Sequence, residues 1–392
     1  MRAGHFDDDH EMFRDTVRRF FQKEIEPRSE AWRARGQVDR EAYRWAGEQG
    51  MLCLFVDPAH GGAGVEDFRY EQIIIEENHR HGDPGFFIHL HNRLVAPYIA
   101  MLGTEEQKKR FLPGCVSGET ILGIAMTEAG AGSDIAGMRC RAEDRGDHYL
   151  LNGQKTFISN GIIGDLFVVA ARTNPDVPRE IGLFLVERGM EGFVRGRKLK
   201  KMGLDSQDTA ELFFENVKVP KANVLGDPAR GFYNLMRFLA EERLIGACTY
   251  VANAQIAFDL TLGYIQERRL FGQAVADFQV NRFKMADMRT EIDITQVFVD
   301  HCVRLHNEGK LDGDIAARAK LFASELEGRV LDECVQLHGG AGYMDEYAIS
   351  RMYRNARVSR IYAGSSEVMR EIIARSIGLD PRKKQPAGGK GH

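Results

Sequence analysis

The chain has 392 residues, with 53 Lys+Arg against 57 Asp+Glu, 43% hydrophobic residues and 28% charged ones. That length predicts two or three domains with sizeable cores, and the balanced charge excludes nucleic acid as the main partner, because no basic field exists to gather phosphates. The composition is that of a folding protein, and no apolar run reaches the roughly 18 residues of a membrane helix.

Helical periodicity opens the chain. Phe13, Val17, Phe20, Phe21 and Ile25 recur at helical spacing behind the acidic Asp7-Asp8-Asp9, which suits a helix N-terminus, and Pro27 is expected to close the segment. Glu41 to Gly50, Tyr70 to Arg80 and Glu105 to Phe111 repeat the pattern. Near residue 120 the texture changes to β. Asn152-Gly153, flanked by Tyr149-Leu-Leu and Lys155-Thr-Phe-Ile, predicts a hairpin, and further strands are expected at Leu166 to Ala171, Ile181 to Val186 and Glu211 to Phe214. Long helices return after Gly231, over Tyr233–Gln266, Val280–Glu308 and Ile315–Leu337, and helices of that length pack as a bundle. The expected organisation is therefore an α+β multidomain chain: a helical domain over 1–122, a β-barrel or sandwich over 123–228, a four-helix bundle over 229–380 and a disordered tail over 381–392.

Six cysteines, Cys53, Cys115, Cys140, Cys248, Cys302 and Cys334, show no CxxC spacing, so no zinc knuckle or redox dithiol is expected, nor any other metal site. Free thiols and an acidic N-terminus without a signal-peptide pattern suit the cytoplasm, or the mitochondrial matrix for a eukaryotic source.

Three glycine-bearing segments invite a nucleotide reading. Gly61-Gly-Ala-Gly64 lies between helices with no strand before it and reads as a turn. Ala125-Met-Thr-Glu-Ala-Gly-Ala-Gly-Ser-Asp134 follows the β-like run Ile121–Ile124 and sets glycines among hydroxyls, so its backbone N–H groups can approach a polar ligand closely. Gln336-Leu-His-Gly-Gly-Ala-Gly342 ends a long helix, where glycine by itself is a helix stop.

Ala125–Asp134, Asn152–Gly161, Arg268-Arg-Leu-Phe-Gly272, Gln336-Leu-His-Gly-Gly340 and Tyr362-Ala-Gly-Ser-Ser-Glu367 together resemble the acyl-CoA dehydrogenase family in order and spacing over about residues 8–378, with the long-chain branch nearest. The resemblance implies FAD. It assigns Ala125, Met126, Thr127, Gly132 and Ser133 to the flavin and pyrophosphate region and sets Phe157, Ile158 and Ser159 against the flavin ring. Many relatives have Trp where Phe157 stands, and Phe keeps an apolar face for stacking. Arg268 is implied to meet the pyrophosphate from a neighbouring subunit, with Phe271, Gln279, Gln336, Gly339, Gly340, Ser365, Ser366 and Glu367 also at the cofactor. A guanidinium fork suits phosphate oxygens.

Relatives often carry a catalytic glutamate directly after the tyrosine of the Tyr-x-Gly-Thr-Ser motif, where this chain has Ala363. Removing an α-proton still requires a carboxylate. Glu242 meets that need: Leu235, Phe238, Leu239, Ile245, Gly246 and Thr249 fall at three, four or seven residues from it, which puts it on the apolar stripe of its helix, whereas Glu241 shares a side with Asn234 and Arg237. Glu242-Arg243 also resembles the pair by which the long-chain and isovaleryl branches supply their base. Ser133, Leu239, Arg243, Tyr362, Ala363 and Gly364 are implied at the substrate, and the backbone N–H of Ala363 is implied to hold the thioester carbonyl. Phe86, Phe87, Leu90 and Val95 are further pocket liners to weigh against plain core packing.

The implied activity is FAD-dependent α,β-dehydrogenation of a fatty or branched acyl-CoA to trans-2-enoyl-CoA, as in fatty acid β-oxidation, with Glu242 taking the pro-R α-proton and the β-hydride passing to flavin N5. Electron-transfer flavoprotein is the implied acceptor and a homotetramer the implied assembly. A flavin oxidase or monooxygenase on the same scaffold, and a noncatalytic acyl-CoA-binding subunit, are the alternatives.

Overall fold

The computed structural model describes residue 2 and residues 4–380; the tail expected to be disordered lies outside the described residues. Among the described residues the order is helical, then β, then helical, in keeping with the fold class expected. The chain divides into two compact units, Arg2–Ile245 and the residues from Gly246 onward.

In the first unit, α1 (Asp8–Phe20) starts where the Asp7 carboxylate accepts the His10 N–H. It continues through a π turn, Phe21–Ile25, and a 3-10 turn carrying Pro27, so the proline expected to close the segment instead sits where α-helical winding is lost, and helix resumes at Ser29. Then come α2 (Ser29–Arg35), α3 (Glu41–Glu48), α4 (Phe68–His81), α5 (Ala96–Leu102) and α6 (Glu105–Ser117). A Thr104–Gln107 capping box opens α6, which runs past the expected end at Phe111 and through Pro113, because Leu112 and Cys115 are buried and hold its second half. The helices close over Val17, Phe21, Ile25, Trp32, Tyr43, Ile73, Ile74 and Phe86, so Phe86 belongs to the core rather than to a pocket wall.

The middle region is one sheet of β1 (Leu122–Ala125), β2 (Arg141–Asp144), β3 (His148–Ser159), β4 (Leu166–Arg172), β5 (Ile181–Glu187), β6 (Phe193–Lys198) and β7 (Thr209–Pro220). Its order is β1-β4-β2-β3-β7-β6, with β5 also paired to β4. The hairpin expected at Asn152-Gly153 is absent: β3 runs straight through it, antiparallel to β7, with a register shift between Leu151 and Gly153. The residues that suggested a turn build a β-bulge instead. Gly153 has φ +141, and a Cβ there would lie 2.7 Å from the Cys140 Cα, so only glycine fits. The Asn152 side chain accepts the Asn216 N–H across the pair. Strands β2 and β6, too polar for an alternation signal, were not foreseen.

Helix α7 (Gly231–Glu267) leads into the second unit, followed by the short pair β8 (Arg269–Leu270) and β9 (Gln273–Ala274), then α8 (Gln279–Asn307), α9 (Gly313–His338), α10 (Ala348–Ala356) and α11 (Ser366–Ser376). All three long helices fall within two residues of the expected spans. Ala254, Phe258 and Ile265 of α7 pack with Met285, Met288 and Ile292 of α8, Leu326, Val330 and Cys334 of α9 and Ile349 of α10.

One buried acid in the first unit makes stability depend on pH. Glu71 on α4 is 3% exposed; burial pushes its carboxyl from an ordinary 4.5 up to about 7, against the opposing pull of Arg93 and of the Asn92 amide donated to Oε2. Between pH 4.5 and about 7 the folded chain keeps a proton that the unfolded chain has released, so stability falls as pH rises through that window and levels off above it. Glu71→Gln, which mimics the protonated form, is expected to flatten this slope and to raise the melting temperature above pH 7 by a few degrees. Thermal unfolding of both proteins at pH 5 and pH 8 checks it; an unchanged slope in the variant would remove Glu71 as its source.

Candidate active site

The first turns of α7 carry two adjacent glutamates whose surroundings differ. Leu235 is fully buried on this helix, Ile245 is 2% exposed, and the Phe238 ring lies 4.3 Å from that of Tyr98 on α5. Glu242 is half-buried on that stripe. Its carboxylate faces two groups that burial has shifted: the Tyr98 phenol, raised by burial and then by Glu242, and the buried Arg243 guanidinium, lowered by burial while Glu242 opposes the change. Glu241 lies on the side of the helix with Asn234 and Arg237, as expected, but there it is paired. Its Oε1 accepts the Arg93 Nε–H at 2.6 Å, and Arg93 is held over the Phe55 and Phe68 rings with its carbon centre 4.7 and 5.4 Å from their centroids. Arginine reaches Glu241 from a distant stretch of chain, so helical spacing alone could not reveal the pair.

A second group forms where β1 leaves the sheet. Mutual backbone bonds between Glu128 and Ala131 close a tight turn, and the Thr156 N–H on β3 donates to the Thr127 carbonyl at 2.9 Å. The fully buried Lys155 ammonium donates to the Met126 carbonyl and to Glu128 Oε1, both at 2.9 Å. Glu128 also accepts the N–H groups of Arg139 and Cys140. Burial works against this carboxylate, but Lys155 and those N–H groups hold it below its ordinary range. The loop is thus pinned at its start while Gly132 and Ser133 stay exposed. Next to it, the register of β3 against β7 shifts again between Lys155 and Ile158, and Phe157 sits there at φ +60 with 66% of its surface exposed. An exposed ring on a left-handed residue is unfavourable twice over, a combination found where a ligand is held. Ala125 and Ile158 turn their side chains into the sheet core, so only their backbones face this edge.

In the second unit, Phe271 and Gly272 both have positive φ, as a tight turn joining β8 to β9 requires, and this exposes 95% of Phe271. Arg268, Gln279, Gln336, Gly339 and Gly340 are exposed as well. Tyr264 on α7 stacks on His338 of α9 at 4.2 Å, which brings the Arg268 end of α7 beside the Gln336–Gly340 end of α9. The segment before α11 also has two left-handed residues, Ala363 at φ +54 and Gly364 at φ +89, beside a half-buried Tyr362. Ser365 caps α11 by accepting the Val368 N–H, and Ser366 donates to Glu325 at 2.7 Å, so both hydroxyls serve the fold; Glu367 is exposed on the first turn.

Family models describe the chain in three consecutive stretches: acyl-CoA dehydrogenase N-terminal domain over residues 7–119, middle domain over 123–217 and C-terminal domain over 229–378. The chain belongs to the acyl-CoA dehydrogenase family. The long-chain specific acyl-CoA dehydrogenase of Sus scrofa mitochondria is 46% identical over 378 residues, which span 95% of this chain and 87% of that protein. The solved acyl-CoA dehydrogenase of Geobacillus kaustophilus matches with a TM-score of 0.94 at 47% identity, over 96% of this chain and all of that one. A glutaryl-CoA dehydrogenase of Mycobacterium smegmatis, solved in complex with FADH2, matches at 0.89 and 28% identity over 96% of each chain. The chain is accordingly an oxidoreductase of the flavin family.

Sequence reasoning missed Lys155, Glu128, Arg93 and Glu71. A lysine inside a strand bordered by Leu151 and Ile158 was the visible signal for the first; the others depend on contacts between distant segments. The Arg93–Glu241 pair carries a stability prediction for the dehydrogenase. Arg93 and Glu241 expose only 10% and 18% of their side chains, so Glu241→Gln leaves a guanidinium among apolar rings without its counter-charge. The expected loss is about 2–3 kcal/mol. Chemical denaturation with a linear extrapolation measures it, and a change within about 0.5 kcal/mol would show that the pair is a surface contact in solution.

Proposed function

We propose that this enzyme uses FAD to oxidise a long straight-chain or branched acyl-CoA to the trans-2-enoyl-CoA, with Glu242 as the base. The single observation that carries the assignment of the base is the division of labour on α7: Glu241 is occupied by Arg93, Glu242 stands on the apolar stripe beside Arg243, and position 363 offers only a methyl group.

The edge around Phe157 fits a flavin dinucleotide. A Cβ built at Gly130 or Gly132 beside it would meet no atom of this chain within 4 Å, so both leave room for a ligand, and in the second unit Gly339 and Gly340 are equally open. Phe157 offers an exposed apolar face, and Thr127 and Ser133 offer hydroxyls and main-chain donors; Arg268, in the second unit, offers a fork for the phosphate of a cofactor held by a neighbouring subunit. When bound, FAD supplies the two-electron acceptor for the hydride equivalent released from the β-carbon.

The chain's own residues account for the rest. The carbonyl of the thioester accepts the Ala363 N–H, so charge that develops on the oxygen as the α-C–H bond breaks meets a fixed dipole. Because a backbone donor carries this interaction, replacing glutamate by alanine at 363 leaves it intact. The Glu242 carboxylate takes the α-proton, and its apolar neighbours favour the protonated product of that step. Leu239, Arg243, Tyr362 and Gly364 flank the substrate. The identity to a long-chain dehydrogenase supports a long acyl chain. We further propose electron-transfer flavoprotein as the acceptor, a cytoplasmic setting for a bacterial source, the domain limits 1–122, 123–228 and 229–380, and a tetramer arranged as a dimer of dimers.

Glu242→Gln is expected to retain FAD and acyl-CoA affinity and to lose anaerobic flavin reduction by at least about a thousandfold, whereas Glu241→Gln stays within about tenfold of the wild type. Stopped-flow bleaching across a panel of straight and branched acyl-CoA thioesters reads both; reduction surviving in Glu242→Gln would place the base elsewhere. For the assembly, Arg268→Ala is expected to release FAD more readily and to loosen the oligomer through linkage. Light scattering with flavin quantitation tests this, and a fully flavinylated wild-type monomer would count against it.

A further inference from the structure

Lys320 lies on α9 amid Ala316, Ala317, Ala319, Ala323 and Ser324, all buried, and is itself 0% exposed. An ammonium in such a place must be surrounded by acceptors, since leaving it bare would cost several kcal/mol. Two of those acceptors are backbone carbonyls: Lys320 Nζ donates to Ser359 at 2.7 Å and to Gly364 at 2.7 Å. These carbonyls mark the two ends of one short segment, Ser359 to Gly364, so a single positive charge closes that segment onto α9. Inside it lie Tyr362 and the left-handed Ala363, followed by the left-handed Gly364.

An alanine at φ +54 is in a disfavoured backbone region and persists only where its surroundings over-determine it. The far side of the turn is already full, because a Cβ at Gly364 would meet the Met369 methyl at 2.5 Å. Two carboxyl groups, Glu327 and Glu367, interact electrostatically with the ammonium. Burial raises Glu327 to about 8, against hydrogen bonds from Asn253 and Ser359 and the charges of Arg360 and Lys320, so near neutral pH it is largely protonated. Exposed Glu367 also feels Lys320, whereas Glu325 is taken up by Ser366, Arg360 and Arg370.

We propose that Lys320 is a positioning residue for the dehydrogenation: by gripping both ends of Ser359–Gly364 it fixes the direction of the Ala363 N–H that polarises the thioester carbonyl. The inference rests on the role given above to that N–H. A donor turned away by loss of the grip still permits binding of the long acyl-CoA, which is held at many other points, but acidifies the α-carbon less.

The test uses acetoacetyl-CoA, whose activated methylene deprotonates without turnover, bound to the FAD-loaded enzyme. The pH midpoint of enolate formation is read by absorbance in the wild type, Lys320→Met and Lys320→Arg. In Lys320→Met the midpoint is expected to rise by at least about one pH unit, a tenfold weaker acidification, and kcat to fall about tenfold to a hundredfold with KM within about threefold. Lys320→Arg keeps the charge but cannot set a forked head on both carbonyls unchanged, so its shift is smaller and in the same direction; this variant decides the matter where Lys320→Met yields no soluble enzyme. A wild-type midpoint in either folded variant overturns the positioning role. No acidification of the ligand by the wild type itself would instead overturn the assignment of the Ala363 N–H.

Discussion

A lysine ammonium deprived of water must be given acceptors by the chain, and two segments of this enzyme take their shape from meeting that demand. Lys155 leaves β3 to reach the Met126 carbonyl and Glu128, and so anchors the turn that carries Gly132 and Ser133. Lys320 leaves α9 to reach the carbonyls of Ser359 and Gly364, and so anchors the turn that carries Ala363. In both places the cation sits in a regular element and the acceptors sit in irregular chain. Rigid secondary structure thereby transmits its order to segments that have no ladder of their own.

The paired glutamates of α7 illustrate how environment, rather than residue type, separates structure from chemistry. Glu241 is given a guanidinium and becomes part of the scaffold. Glu242, one residue on, is half-buried on a stripe with Leu235, Phe238 and Ile245, where we propose that it meets the substrate. Helical rotation of about 100° between neighbours is enough to send two identical side chains to different surroundings.

How much of this was legible depended on the range of the forces involved. The apolar repeat of α7, α8 and α9 is local, and their spans could be read within two residues. The stripe under Glu242 is equally local, which is why Glu242 could be placed on it. Asn152-Gly153 is a local signal too, but it is ambiguous: the same freedom of φ serves a hairpin or a bulge, and only the distant β7 decides which. Lys155, Lys320 and Arg93 stayed hidden because each finds a partner 27 or more residues away. Sequence spacing cannot report such meetings, although a charged residue inside a buried small-residue face, as at Lys320, marks a place to look for one.

All six thiols are buried, as the absence of any paired spacing allowed, and burial raises Cys53, Cys115, Cys140, Cys302 and Cys334 above their ordinary values. Alkylating reagents attack thiolates that they can reach; those five thiols offer neither access nor ionisation near neutral pH, and Cys248 is buried as well. The native enzyme is thus a silent background for maleimide chemistry. A cysteine introduced at an exposed position such as Gln273 would carry a fluorophore or spin label alone, which opens the β8–β9 pair to spectroscopy without first stripping the molecule of its own sulfur.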